Sequence, residues 1–186
     1  MELFTIGHSN LSIEAFVGLL QKHGITAVAD VRSHPYSRYL PHFNQSEIKD
    51  SLSKVGIQYV FLGKELGARP EDLSCYDIGG KALYERIAAT ALFSEGIQRL
   101  LKGAVSYKIT LMCAEKDPIT CHRTILVCRQ LTELNLQINH ILSDGNLESQ
   151  QQLEARLLNK FNKGKNDNKP IQLSLFELNP EVKAEI

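Results

Sequence analysis

Apolar residues fall into two rhythms along the chain, short unbroken runs and stripes of three- to four-residue spacing, and the two alternate. Leu3-Phe4-Thr5-Ile6 predicts a strand that ends at Gly7-His8-Ser9-Asn10. Ser12 is an N-cap, Glu14 sits in the first turn, and Ile13, Phe16, Val17 and Leu20 form a helical stripe that Gly24 closes. Residues 27–31 predict a second strand, followed by a polar loop from Arg32 to Arg38. Asn44, with Glu47 three residues on, reads as a capping box for a helix striped by Ile48, Leu52 and Val55 and stopped by Gly56. Residues 59–62 form the third predicted strand, about 83–101 a long helix, and 108–112 the fourth strand. Asp117-Pro118 predicts a helix start, Asp as N-cap and Pro at the first helical position, for a helix reaching about Leu134. Residues 137–142 are the fifth strand and 147–161 a last polar helix.

Strands alternating with helices predict the α/β class. The expected architecture is a single three-layer, Rossmann-like domain with a mostly parallel sheet of about five strands, plus a C-terminal helix and tail. The boundaries read as domain 1–145, helix 146–161, linker 162–171 and tail 172–186; residues 162–170 contain no apolar side chain. In such sheets ligands bind beyond the carboxyl ends of the strands. The loops after the first four strands therefore share one edge. His8, Ser9, Asn10, Arg32, Arg38, Glu65, Cys113 and Glu115 become candidates for one cleft, although they are far apart in the chain.

Composition narrows the classes. Among 186 residues, 21 Lys plus Arg balance 21 Asp plus Glu, and 43% are hydrophobic, as in an ordinary globular domain. Zero net charge argues against a broad basic coat for nucleic acid, yet leaves local patches open because sites are local and net charge is a sum. No run approaches the ~18 apolar residues of a membrane span, and the first residues do not form a signal peptide. Four cysteines without a leader do not suggest a disulfide framework. The expected compartment is the cytoplasm, with no membrane partner.

The densest chemistry is Cys113-Ala114-Glu115-Lys116-Asp117-Pro118-Ile119-Thr120-Cys121-His122-Arg123. It joins a strand end to a helix start, where free N–H groups favour thiolates and anions. Arg123 offers a bidentate donor for phosphate, or else pairs with Glu115 or Asp117. Cys113, Cys121 and His122 are possible ligands for zinc or iron, although the spacing matches no standard knuckle. Consecutive helical residues point in different directions, so a thiol at Cys121 is expected to find His8 or His34 before its neighbour His122. Cys128 reads as core. The Asp30-to-Tyr39 stretch, with Arg32, Ser33, Arg38 and two tyrosines, suits an anionic ligand carrying a ring to stack on, or else is a solvated surface loop with an Arg–Asp pair. Glu65, between Gly63 and Gly67, is either a surface carboxylate or part of the site.

Four stretches together carry a family resemblance: Thr5-Ile6-Gly7-His8-Ser9; Asp30-Val31-Arg32 with Pro35 and Arg38; Leu62-Gly63 with Glu65-Leu66-Gly67; and C-x-E-x-x-P-x-x-C-H-R. Over about residues 1–145 they resemble the motif series of the domain-of-unknown-function 488 (DUF488) family. The resemblance implies a shared α/β fold and site, and supplies no reaction. After the polar linker, Gln172-Leu173-Ser174-Leu175-Phe176 resembles the pentapeptide with which bacterial proteins dock on the DNA sliding clamp. Gln172, Leu173, Leu175 and Phe176 would make the contacts.

The leading expectation is an enzyme, hydrolytic in preference, acting on DNA or a nucleotide and recruited by the clamp. Arg32, Arg38 and Arg123 would hold phosphate, with Ser9, Asn10, Ser33 and Glu65 lining the site. His8 and Glu115 are the acid/base candidates, and Cys113 and Cys121 the thiol or metal groups. The alternatives are a thiol- or metal-dependent redox enzyme unrelated to DNA, and a non-catalytic nucleic-acid-binding adaptor.

Overall fold

The first apolar run forms strand β1, Glu2–Gly7, and Ser12 caps helix α1, Ile13–Lys22, its side chain accepting from Ala15 N at 3.2 Å. Gly24 follows that helix at φ +63, a left-handed conformation that costs glycine nothing. Strand β2, Ala27–Asp30, leads into a polar loop and then helix α2, Gln45–Ser53. The computed structural model describes residues 1–134 and 136–166.

Asn44 precedes α2 without capping it: its Oδ1 accepts from Ser37 N at 2.7 Å and pins the preceding loop instead. Val55, expected on the apolar stripe, is exposed beyond the helix end. Strand β3, Gln58–Phe61, runs into the single turn α3, Gly63–Leu66. The long helix expected over 83–101 is two helices, α4 at Tyr84–Ala88 and α5 at Ala91–Ala104. Thr90 divides them, because its hydroxyl accepts from Phe93 N at 3.1 Å and so starts a fresh N-terminus.

Strand β4, Ile109–Cys113, is buried throughout. The expected helix from Pro118 to Leu134 is also divided. Asp117 caps only a 3-10 turn, Pro118–Thr120, and Cys121 is extended. A π-helical segment then covers Arg123–Cys128, with α6 at Arg129–Thr132. After β5, Gln137–Ile141, residues expected to open the last helix form a sixth strand, β6, Leu147–Ser149. The last helix, α7, covers Gln150–Asn166 and so enters the segment expected as linker. No helix among the described residues is long and apolar enough to cross a membrane.

Met1–Gln150 forms one compact unit. Its sheet has the order β3-β2-β4-β1-β5-β6, parallel except for β6, which pairs antiparallel with β5. The fold is α/β as expected, with one strand more. Strand alternation sends Phe4, Ile6, Val28 and Met112 to one face against Phe16, Leu20, Ile48 and Leu52. Leu3, Ala27, Ala29, Ile109, Leu111 and Cys113 face the other layer with Phe93, Leu100, Leu126 and Leu131. β2 continues outward to β3, while β4, its neighbour, continues the opposite way to β5. The chain thus diverges between the carboxyl ends of β2 and β4, the place where doubly wound sheets bind ligands.

Candidate functional site

Cys113 ends β4 at this divergence and is buried, 2% exposed. The 3-10 turn capped by Asp117 brings the chain back over the strand end. Cys121 follows at φ −94, ψ 139, so it is extended and its carbonyl accepts from Ile125 N at 3.1 Å as helical structure begins. This overturns the expectation that Cys121 and His122 diverge. That expectation assumed both were helical; an extended Cys121 lets both side chains reach Cys113.

One sulfur, oxygen or nitrogen from each of Cys113, Glu115, Cys121 and His122 lies within 4.8 Å of all the others. Glu115 Oε2 accepts from Cys113 Sγ at 2.7 Å and from Cys121 Sγ at 3.0 Å. His122 Nδ1 lies 3.5 Å from Cys113 Sγ. Its other ring nitrogen, Nε2, is 2.9 Å from the Val31 carbonyl, which can only accept. Nε2 therefore carries a proton, and in the neutral ring Nδ1 turns a lone pair toward the thiols. Cys113, Cys121 and His122 are buried, while Glu115 is exposed and opens the cluster to solvent.

Burial alone would raise the Glu115 pKa, but the hydrogen bonds from the two thiols outweigh it and hold the carboxyl at about 2. Burial and the bond to Cys113 push the Cys121 thiol far up. Burial would lower the His122 pKa, yet Cys121, the Val31 carbonyl and Glu115 raise it. The centre is thus an ionised carboxylate facing the protonated Cys121 thiol, with Cys113 Sγ bonded to the same carboxylate oxygen.

Beside it stands a second network. Asp30, wholly buried, accepts from Arg32 Nε at 2.9 Å and Nη2 at 2.6 Å, and from the Tyr59 hydroxyl at 2.7 Å. Arg32 also donates to Phe43 O at 2.9 Å, and its Nη1 lies 3.2 Å from His8 Nε2. Because the guanidinium only donates, His8 Nε2 accepts, and Nδ1–H donates to Ser9 O at 2.9 Å. Burial, helped by the Arg32 charge, lowers the His8 pKa to about 4. His8 is a neutral ring stacked on Phe43 at 4.2 Å between centroids, and both its nitrogens are engaged. Nothing in this geometry leaves it free to exchange a proton at neutral pH.

Other expected site residues divide clearly. Arg123 is wholly buried and not free for phosphate: it donates to Glu115 O at 2.7 Å, Lys116 O at 3.3 Å and Thr5 Oγ1 at 3.3 Å. It shapes the loop from behind and pairs with neither acidic side chain expected for it. Glu65 is ion-paired with Arg99. Ser33 Oγ accepts from Arg69 N at 3.0 Å, a loop tie. Ser9 takes φ +45 and bonds Asn10 with its hydroxyl, so this pair is a strained turn bordering His8. Arg38 is exposed, as are Tyr36 and Tyr39, 70% and 94%. Cys128 is buried core as expected. Gln172, Leu173, Leu175 and Phe176 lie outside the described residues.

The Arg–Asp pair expected as the alternative for the Asp30 stretch is present as Arg32 with Asp30, although buried and not in a solvated loop. Tyr59 and the Val31 carbonyl carry no sequence signal: nothing local marks a backbone carbonyl 91 positions from its partner.

The family described as domain of unknown function DUF488 matches residues 12–129, well over half of the chain. No curated protein and no solved structure matches it.

Proposed function

The chain belongs to the DUF488 family, and on that premise we propose that it is a hydrolase acting on nucleic acid or a nucleotide at the carboxyl edge of its sheet. The observation that carries this reading is one of placement. The thiol, carboxylate and imidazole cluster is tied through Val31 O to the residue before Arg32, where the loop bearing Tyr36, Arg38 and Tyr39 begins. Exposed aromatic faces with a free guanidinium between them suit an unstacked base and its phosphate. Asn44 and the Ser37 hydroxyl fix that loop: the hydroxyl accepts from Tyr39 N and Leu40 N, each at 3.2 Å. Its shape is therefore prepared before a ligand arrives.

Glu115, ionised and open to solvent, would orient an attacking water. Arg38 takes the phosphate role, since Arg123 and Arg32 are already engaged within the protein. Of the three arginines expected to share that role, Arg38 is the one with no hydrogen bond or ion pair among the described residues. Recruitment through the sliding clamp by residues 172–176 completes the proposal, and rests on the sequence of that segment.

A redox dithiol is the second reading, favoured by one observation: Cys113 and Cys121 bond the same carboxylate oxygen. A turnover screen over single-stranded and damaged DNA, nucleotides and glycosidic bonds separates the two. The hydrolase reading expects product from one of these, a loss on the order of 10²–10⁴ in rate for Glu115→Gln, and a raised KM for Tyr36→Ala and Arg38→Ala. No product from any substrate removes it.

A further inference from the structure

We propose that Cys113, Glu115, Cys121 and His122 bind one divalent, thiophilic metal ion of the zinc class. The inference deepens the site described above but does not need its substrate. Two sulfurs, an imidazole nitrogen and a carboxylate oxygen are a donor set that soft and borderline cations prefer, and four is the number that tetrahedral zinc takes. Such an ion, with bonds of about 2.0–2.3 Å, separates its ligand atoms by roughly 3.3–3.8 Å. Cys113 Sγ and His122 Nδ1 already stand 3.5 Å apart. The carboxylate sits nearer the sulfurs, at 2.7 and 3.0 Å, and belongs to the exposed residue of the four, so it has room to withdraw.

His122 supplies the independent sign. Its Nε2–H donates to a backbone carbonyl while Nδ1 faces the donor set, the arrangement that fixes the tautomer and ring angle of a metal-bound histidine. The ion takes the place of the two thiol protons, which leave to solvent, so two thiolates, one carboxylate and one dication carry a net charge of minus one. Arg123, wholly buried against the Glu115 carbonyl, lies close enough to offset it. Two protonated thiols in the Glu115 hydrogen bonds describe the same donors without the ion.

Titration of the reduced full chain with cobalt(II), a coloured stand-in for zinc, tests this. Expected is a stoichiometric rise of thiolate-to-cobalt absorption in the near ultraviolet together with visible bands of tetrahedral cobalt, displaced by added zinc. Cys113→Ser and Cys121→Ser each remove about half of the thiolate absorption and weaken binding by about tenfold or more. Cys75→Ser, a thiol outside the cluster, leaves the bands unchanged. Because Cys113 and Cys121 are buried, Glu115→Gln is the fold-preserving check: far-ultraviolet circular dichroism stays native while the cobalt bands shift. No absorption on titration, or bands indifferent to both Cys113→Ser and Cys121→Ser, overturns the proposal. Metal binding without turnover on any nucleic-acid substrate keeps the metal centre and removes the hydrolase reading. Turnover in chain that binds no cobalt does the reverse.

Discussion

His8 shows how one residue's surroundings decide its role. Alone after a strand it is an acid/base candidate; between Arg32 Nη1 and Ser9 O it is a neutral spacer holding the guanidinium in place. The consequence is measurable. The unfolded chain takes up the His8 proton near 6.5, whereas the folded chain resists until about 4, because burial and Arg32 oppose the charge. The unfolded state therefore binds more protons in this window, and stability falls as pH drops from about 6.5 to about 4. Glu115, held at about 2 against an ordinary 4.5, removes a further contribution only below pH 4.5. Denaturant midpoints measured across pH should show the His8 stage, and His8→Gln should flatten it; an unchanged slope in that variant would mean that another group carries the effect. At this scale the candidate residues were largely legible by type. Their hydrogen bonds were not, because Arg32 and Arg123 are engaged by groups from other elements.

Caps set the helix boundaries of this chain, both where the sequence shows them plainly and where it does not. Ser12 with Gly24 delimits α1 as expected, since both signals act within a few residues of the bonds they make. Thr90 acts by the same mechanism inside an otherwise helical stretch, and its β-branched side chain did not stand out among good helix formers. Thr90→Ala should destabilise the fold by about 1 kcal/mol, as loss of an N-cap does, read as a lower denaturant midpoint with unchanged m. No change would mean that the break between α4 and α5 is set by packing alone. The Asp117-Pro118 start was real but brief. One extended residue, Cys121, separates the 3-10 turn from the helix that follows, and the π-helical segment Arg123–Cys128 lies wholly in the core. Tertiary burial, not local propensity, sets that geometry.

For the whole molecule, zero net charge constrains how nucleic acid can be engaged. On the proposed reading, zero net charge argues against a broad basic coat, so contact with nucleic acid would be local, and a tethered docking peptide would raise the effective concentration of a weak domain–DNA interaction. Purified clamp should therefore retain the full chain in a pull-down and lose it with Leu175→Ala or Phe176→Ala; equal retention of both variants would sink clamp recruitment. The alternation of apolar runs and stripes determined the α/β class, five of the six strands and the edge at which the candidate residues lie, because parallel strands must all point their loops one way. The cysteine motif likewise marked its chemistry in a dozen consecutive residues. Only the tertiary structure decided which of the edge residues meet. Insertion of β4 between β2 and β1 brings Cys113 beside Val31 and Gly7, and a glycine is needed there, since a Cβ on Gly7 would overlap the Glu115 carbonyl. Strand order is a long-range packing solution, and the extended Cys121 that turns two thiols, a carboxylate and an imidazole toward one point depends on it.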